Sequence, residues 1–238
     1  MISSLFHELL YQPLFNALMV LYETVGFHDL GVAIIVLTLL IRFILYPLSG
    51  KAIASQKNMM TIQPEVKAIQ EKYKNNKEEA ARRMMALYKE RKVNPLSGCL
   101  PILIQLPVLI ALYWVFLAGF DDESLASLYG FIPSPGPINH MFLGIFDLAA
   151  NNPFLAVLAG IAQFYQSKMV LDEQKKRSVG LATNDFSLAL SKNMTYMMPV
   201  ATVLITYSLH AGIALYWITT TLFSVAQQWR MFRAAPER

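Results

Sequence analysis

The stretch Leu30-Gly-Val-Ala-Ile-Ile-Val-Leu-Thr38-Leu-Leu-Ile-Arg42-Phe-Ile-Leu-Tyr-Pro47-Leu48 holds one charge in nineteen residues. A helix needs about 20 apolar residues to cross roughly 30 Å of hydrocarbon, so this segment is long enough for one crossing. The whole chain reads the same way: 55% of its 238 residues are hydrophobic and 15% are charged, against about 25% charged in soluble domains. Apolar residues are too abundant and net charge, +4, too small for disorder. A lone cysteine, Cys99, excludes an internal disulfide and a cysteine-based zinc site.

Further charge-free runs lie at 93–120, 148–167 and 193–229. The segments 99–118 and 153–170 each suffice for one crossing. The last run holds 37 residues, enough for two joined by a turn at His210-Ala211-Gly212. The sequence thus predicts an all-α integral membrane protein with five transmembrane helices, an N-terminal interfacial helix and a cytoplasmic helical hairpin. Its parts are 1–27 (interfacial helix), 28–50 (first crossing), 51–97 (hairpin), 98–120 (second), 121–152 (outer loop), 153–170 (third), 171–193 (cytoplasmic loop), 194–229 (fourth and fifth) and 230–238 (tail).

The run 9–22 is too short to cross. Glu8, Gln12, Asn16 and Glu23 form a polar stripe opposite Leu9, Leu10, Leu14, Leu18 and Leu21, which predicts a helix lying flat on the membrane surface. A signal peptide is disfavoured, because no Lys or Arg precedes the apolar segment and no small-residue cleavage pattern follows it.

Basic residues set the orientation. Eleven Lys/Arg lie in 51–92, five in 168–192 and three in the tail, while 1–29 and 119–152 hold none. Every basic residue except Arg42 falls on one side of the five-crossing arrangement, which the positive-inside rule assigns to the cytoplasm, with the N-terminus outside and the C-terminus inside. The Asn193-Met-Thr195 sequon then faces the cytoplasm and escapes glycosylation. The predicted location is a bacterial plasma membrane, since 1–29 lacks the Arg- and Ser-rich composition of a transit peptide.

Within 51–92, two helical arms break near Asn75-Asn76 and share an apolar seam. Two readings of the arms stand side by side. The seam can be hairpin core with a solvated basic face attracted to anionic lipid. Alternatively, Met59, Met60, Met84 and Met85 form an adaptable apolar surface for varied hydrophobic clients, while Lys and Arg meet lipid headgroups or ribosomal RNA.

Arg42 sits about 5 Å from the midpoint of the first crossing at 1.5 Å per residue. An arginine near a bilayer centre costs about 2.5–3.5 kcal/mol on insertion scales. It either snorkels to the nearby interface or lines a polar interior together with Thr38, one turn away on the same face. Gln105, Gln163, Gln166, Thr219 to Thr221, Ser224 and Gln227 supply matching polar groups on other helices, and no crossing contains Asp or Glu. A wet cavity inside the bundle follows. The missing acids exclude a carboxylate-pair protease, and no His-Glu-x-x-His, Gly-x-Ser-x-Gly or phosphate-binding glycine loop is present, so neither an enzyme nor a cofactor or metal site is expected.

The residues resemble the YidC/Oxa/Alb membrane protein insertases, most closely the short bacterial form. The similarity runs through Thr38-x-x-x-Arg42-x-x-x-x-Pro47-Leu48, Gln63-Pro64, Met85-Ala-Leu-Tyr88-Lys89 and Val93-Asn-Pro95-Leu-x-Gly98-Cys99-Leu-Pro101. It continues through Ile104-Gln105-x-Pro107, Ala111-Leu-Tyr113, Met197-Met-Pro199 and Gly212-x-x-Leu215-Tyr216-Trp217 to Gln227-Gln228. The resemblance implies a hydrophilic groove open to cytoplasm and lipid and closed outside, in which Arg42 draws in the polar end of a client. Thr38, Arg42, Gln105, Tyr216 and Trp217 carry over by motif; Gln163 and Gln166 come from the helix reading. The implied partners are nascent membrane proteins, the Sec translocon and the ribosome, with anionic lipids and without DNA.

Three departures stand out. Thr221 replaces an Asn frequent in the family, no large outer domain separates an anchor from the core, and the tail beyond Trp229 has nine residues. Ribosome contact would therefore rely on 51–92 and 171–192. A small channel or transporter, and a factor that holds assembled membrane subunits, remain as rival readings.

Overall fold

The computed structural model describes residues 5–94, 100–118, 122–177 and 186–233. The Pro95 to Cys99 part of the matched motif, the middle of the 171–193 loop, and 1–4, 119–121 and 234–238 lie outside the described residues.

A π-helical stretch, His7–Tyr11, runs into α1 (Gln12–Thr24). α2 (Leu30–Ile44) opens on Asp29, whose side chain accepts from Val32 N at 3.0 Å and satisfies an otherwise orphaned donor. At Leu45 the axis turns by 64° into α3 (Tyr46–Lys72). Pro47 accounts for the turn: it has no N–H for the carbonyl of Phe43, and its ring collides with that carbonyl in a straight helix. The segment 28–50, expected as one helix, is therefore two, and 46–50 begin the first arm of the hairpin. α4 (Lys77–Glu90) forms the second arm, capped by Asn76 Oδ1 accepting from Glu79 N at 3.1 Å.

The remaining long helices are α5 (Leu100–Leu117), α6 (Pro153–Arg177), α7 (Phe186–Tyr207) and α8 (Ala211–Arg233). α6 runs about two turns beyond the expected 153–170. Hydropathy marks where apolar surface ends, whereas Glu173, Gln174, Lys175, Lys176 and Arg177 are good helix formers that prolong the helix into polar surroundings. Between α5 and α6 a short helical turn, Asp122–Leu125, leads to a hairpin of β1 (Met141–Phe142) and β2 (Phe146–Asp147).

α6 and α7 pack together, and α8 inserts between α6 and α2, while α1 covers α2. Glycine permits close approaches at Gly31, where a Cβ would lie 2.1 Å from the Phe142 ring, and at two helix contacts. A Cβ on Gly160 would lie 2.3 Å from Val203 Cγ2, and one on Gly212 would lie 2.3 Å from the Phe116 ring. The loop 126–152 also completes α8, because its carbonyls at Ala150 and Leu148 accept from Ala211 N at 2.8 Å and Gly212 N at 3.1 Å. These donors have no partner inside their own helix.

The main core gathers Phe15, Leu18, Met19 and Tyr22 of α1, Ile34 and Leu37 of α2, Leu112 and Phe116 of α5, Ile213 and Leu215 of α8, and Leu148 of the loop. It thus fills the half of the bundle nearest the 122–152 loop. Around the helices, large apolar side chains face outward, among them Phe43, Ile44, Leu103, Trp114, Ile161, Val200 and Leu204. A belt of this kind is rare on soluble monomers. Among the described residues, Pro153–Lys176 alone is long and apolar enough to cross a membrane by itself. α2 and α3 pass the same test jointly across their bend, and Gln105–Leu117 is a shorter apolar helix. α2 has 15 residues, about 22 Å at 1.5 Å per residue.

The expected polar stripe of the N-terminal helix is corrected. Asn16 is buried, 2% exposed, and Leu9 is 68% exposed. Asn16 Nδ2 donates to Ser127 O at 3.1 Å, its Oδ1 accepts from Tyr129 N at 2.7 Å, and Gln12 Nε2 donates to Ser127 O at 3.2 Å. Tyr22 Oη accepts from Asn139 N at 2.8 Å. Of this stripe, Gln12 and Asn16 turn inward because loop backbone groups, taken out of water, need partners.

Candidate functional site: a polar cavity around Arg42

Opposite the main core, the hairpin end of the bundle holds a half-open cavity of about 290 Å³. Each wall comes from a different helix: Arg42 from α2, Ser49 and Ile53 from α3, Gln105 and Leu109 from α5, Gln163 and Gln166 from α6, and Met198 from α7. α8 supplies Tyr216, Trp217, Thr220, Thr221, Ser224, Gln227 and Gln228.

Arg42 is half-buried. Its Nε donates to Thr220 Oγ1, and its Nη2 donates to Gln105 Oε1 at 2.7 Å. Both partners are neutral, so the positive charge is oriented without being cancelled. A guanidinium has five N–H donors in a planar fork, so two such bonds leave donors for another group. Gln163 Oε1 accepts from Trp217 Nε1 at 3.3 Å, which holds the indole at the cavity wall.

Thr219 and Ser224 hydroxyls donate to the carbonyls of Leu215 and Thr220 on their own helix at 2.9 and 2.8 Å. These two hydroxyls are thereby satisfied within their own helix. Gln227 Nε2 donates to Tyr46 O at 3.1 Å and ties α8 to the start of α3.

Of the groove residues expected from sequence, Arg42, Gln105, Gln163, Gln166, Tyr216 and Trp217 line this one cavity. Thr38 does not. It is 1% exposed, and its hydroxyl donates to Ile34 O at 2.6 Å within α2, so it belongs to the packed interior. Thr220 was visible in sequence only as one of several hydroxyls, and its bond to Arg42 depends on the crossing of α2 and α8, which no local pattern reports. Thr221, where the resemblance was weakest, also lines the cavity.

The four methionines separate. Met59 and Met84 pack against the hairpin seam formed by Ile62, Val66 and Leu87. Met60 is buried, and Met85 is 52% exposed. Of the four, Met85 alone presents an open apolar side chain. The arms are also joined by Arg91 Nη2 donating to Glu65 Oε2 at 2.8 Å.

Comparison with known proteins follows the same boundaries. A family model described as 60Kd inner membrane protein matches residues 20–238. The chain is similar to proteins named Membrane protein insertase YidC from Francisella tularensis subsp. novicida (strain U112), subsp. tularensis (strain SCHU S4 / Schu 4) and subsp. holarctica (strain LVS). Each is 37% identical over 205 residues, which is 85% of this chain and 32% of the relative. The chain thus spans about a third of the length of these curated relatives. With the match running from within α1 to the last residue, the chain belongs to the 60Kd inner membrane protein family, that of the YidC/Oxa/Alb proteins.

Proposed function

We propose that this chain is a membrane protein insertase, a non-enzymatic device that lowers the barrier for taking a short polar segment of a client into the bilayer. The observation that carries the reading is the Arg42 guanidinium, held in a polar cavity by two uncharged partners, Thr220 and Gln105. Moving polar groups into hydrocarbon without compensating hydrogen bonds costs several kcal/mol each. Carboxamides, hydroxyls and one cation set into a largely apolar wall replace part of their hydration. The client's apolar helix then passes into lipid along the exposed apolar flank.

In this reading α2, α5, α6, α7 and α8 are the five crossings, in a bacterial plasma membrane, with the N-terminus outside and the hairpin and C-terminus in the cytoplasm. Clients are nascent membrane proteins, received with the help of the hairpin and its open Met85. The Sec translocon, the ribosome and anionic lipids are the accompanying partners. A transporter would need coupling groups, and the apolar parts of the crossings hold no Asp or Glu, since Asp172 and Glu173 lie in the polar extension of α6 beyond residue 170.

Reconstituted vesicles and a client with an acidic translocated tail supply the test. Arg42→Ala should reduce its insertion by about tenfold, the equivalent of roughly 1.4 kcal/mol and close to the lower edge of the range for hydrogen bonds to charged groups, and Arg42→Lys should retain much of the activity. Equal insertion by Arg42→Ala removes the charge from the mechanism. Photocrosslinkers at 105 and 217, challenged with ribosome-bound nascent chains, should label clients strongly. Labelling confined to exposed positions such as 103 and 197 would instead make the chain an assembly factor.

A further inference from the structure

The seam where α3 leaves the bundle beside the end of α8 is built from several kinds of contact. The Phe223 ring meets Phe43 and Tyr46 edge-on, with centroids 5.3 and 6.3 Å away. Gln227 binds the carbonyl of Tyr46. Lys57 Nζ donates to Met231 O at 3.1 Å, placing a cation at the negative end of α8.

Exposed side chains border the seam on both helices in the same order. Phe43, Ile44 and Leu48 lead to exposed Lys51 on α2 and α3. On α8, Leu222 and Trp229 lead to exposed Arg230 and Arg233. The Arg233 guanidinium lies 3.8 Å above the Trp229 ring, which fixes its position at the rim. Neither Tyr46–Gln63 nor α8 contains an Asp or Glu. Each helix therefore offers an apolar wall that ends in cations, and the stretch of sequence beside the seam provides no carboxylate for them. An amphiphile with an anionic head has the complementary shape and charge.

We propose that the α3–α8 seam binds an anionic glycerophospholipid. One acyl chain lies along Ile44, Leu48 and Leu222, and the phosphate sits among Lys51, Arg230 and Arg233. Trp229 occupies the headgroup level, where amphipathic rings are enriched. The bound lipid braces the base of the hairpin against α8 beside the mouth of the Arg42 cavity. This site is separate from the cavity and stands whether or not the chain inserts clients.

The test uses the full chain in vesicles of phosphatidylcholine containing a minor fraction of either photoactivatable phosphatidylglycerol or photoactivatable phosphatidylcholine. Phosphatidylglycerol should label peptides covering 44–51 and 222–233 preferentially. A basic residue near an anionic surface is worth ~1 kcal/mol, or about fivefold in occupancy. Lys51→Gln combined with Arg230→Gln and Arg233→Gln should abolish the preference, and Arg230→Lys with Arg233→Lys should keep most of it.

Equal labelling by the two lipids overturns the proposal, as does labelling spread evenly over α5 and α7. So does an unchanged preference in the glutamine variant. Displacement of phosphatidylglycerol by inorganic phosphate alone would show that the acyl wall has no part in binding. Loss of labelling with insertion intact, or the reverse, separates this site from the insertase reading.

Discussion

The loop half and the hairpin half of the bundle are built from the same helices on opposite principles. Near the 122–152 loop, α1, α2, α5 and α8 interlock Phe15, Leu18, Leu112, Phe116 and Ile213 into an apolar core, and Asn16 and Tyr22 there stitch α1 to the loop. Near the hairpin the same α2, α5 and α8 spread around Arg42 and border the half-open cavity. On α8 the change takes about two turns: Ile213 and Ala214 are core, while Thr220, Thr221 and Ser224 line the cavity. The same helices thus close one end of the bundle with packed side chains and leave the other end open around a charge.

If that division is right, the largest stability loss belongs to the loop half. Phe15→Ala should destabilise the protein by about 3–5 kcal/mol, the range for emptying a buried aromatic site, read from reversible unfolding in mixed micelles. A much smaller loss would mean that the core around α1 is loose and would break the comparison. Asn16→Leu comes next, at about 1–3 kcal/mol, because the Tyr129 N–H loses its partner inside the protein, while the Ser127 carbonyl keeps Gln12. Passive ion leak through vesicles carrying this variant should rise as the loop loosens. At the bottom of the scale, Arg91→Gln breaks an exposed pair with Glu65 and should change stability by no more than about 1 kcal/mol. An effect as large as that of Asn16→Leu would show that the hairpin and core are one cooperative unit.

Charge-free runs and the partition of Lys and Arg made the helical character and the central position of Arg42 legible in the sequence, because both depend on local composition. What escaped depends on relations between elements. Helical periodicity reveals two faces on α1 without saying which one the protein covers, so Asn16 was read outward although loop backbone draws it inward. Thr38 shares a face with Arg42 in sequence, yet a hydroxyl can bond within its own helix and be packed away. Thr220 looked like one hydroxyl among several until the crossing of α2 and α8 singled it out. Pro47 was plain in the sequence, but the 64° turn it makes became visible only with a direction assigned to α3.

That turn, with the Lys57 contact beyond it, gives the first hairpin arm the mechanics of a lever. From Lys57 to Lys72 the helix extends about 22 Å past its fastening point. A tilt of about 10° there displaces the far end by about 4 Å, roughly the width of one strand of polypeptide. A weak pull at the tip thus acts with a long moment arm on Ser49 and Ile53, which stand in the cavity wall.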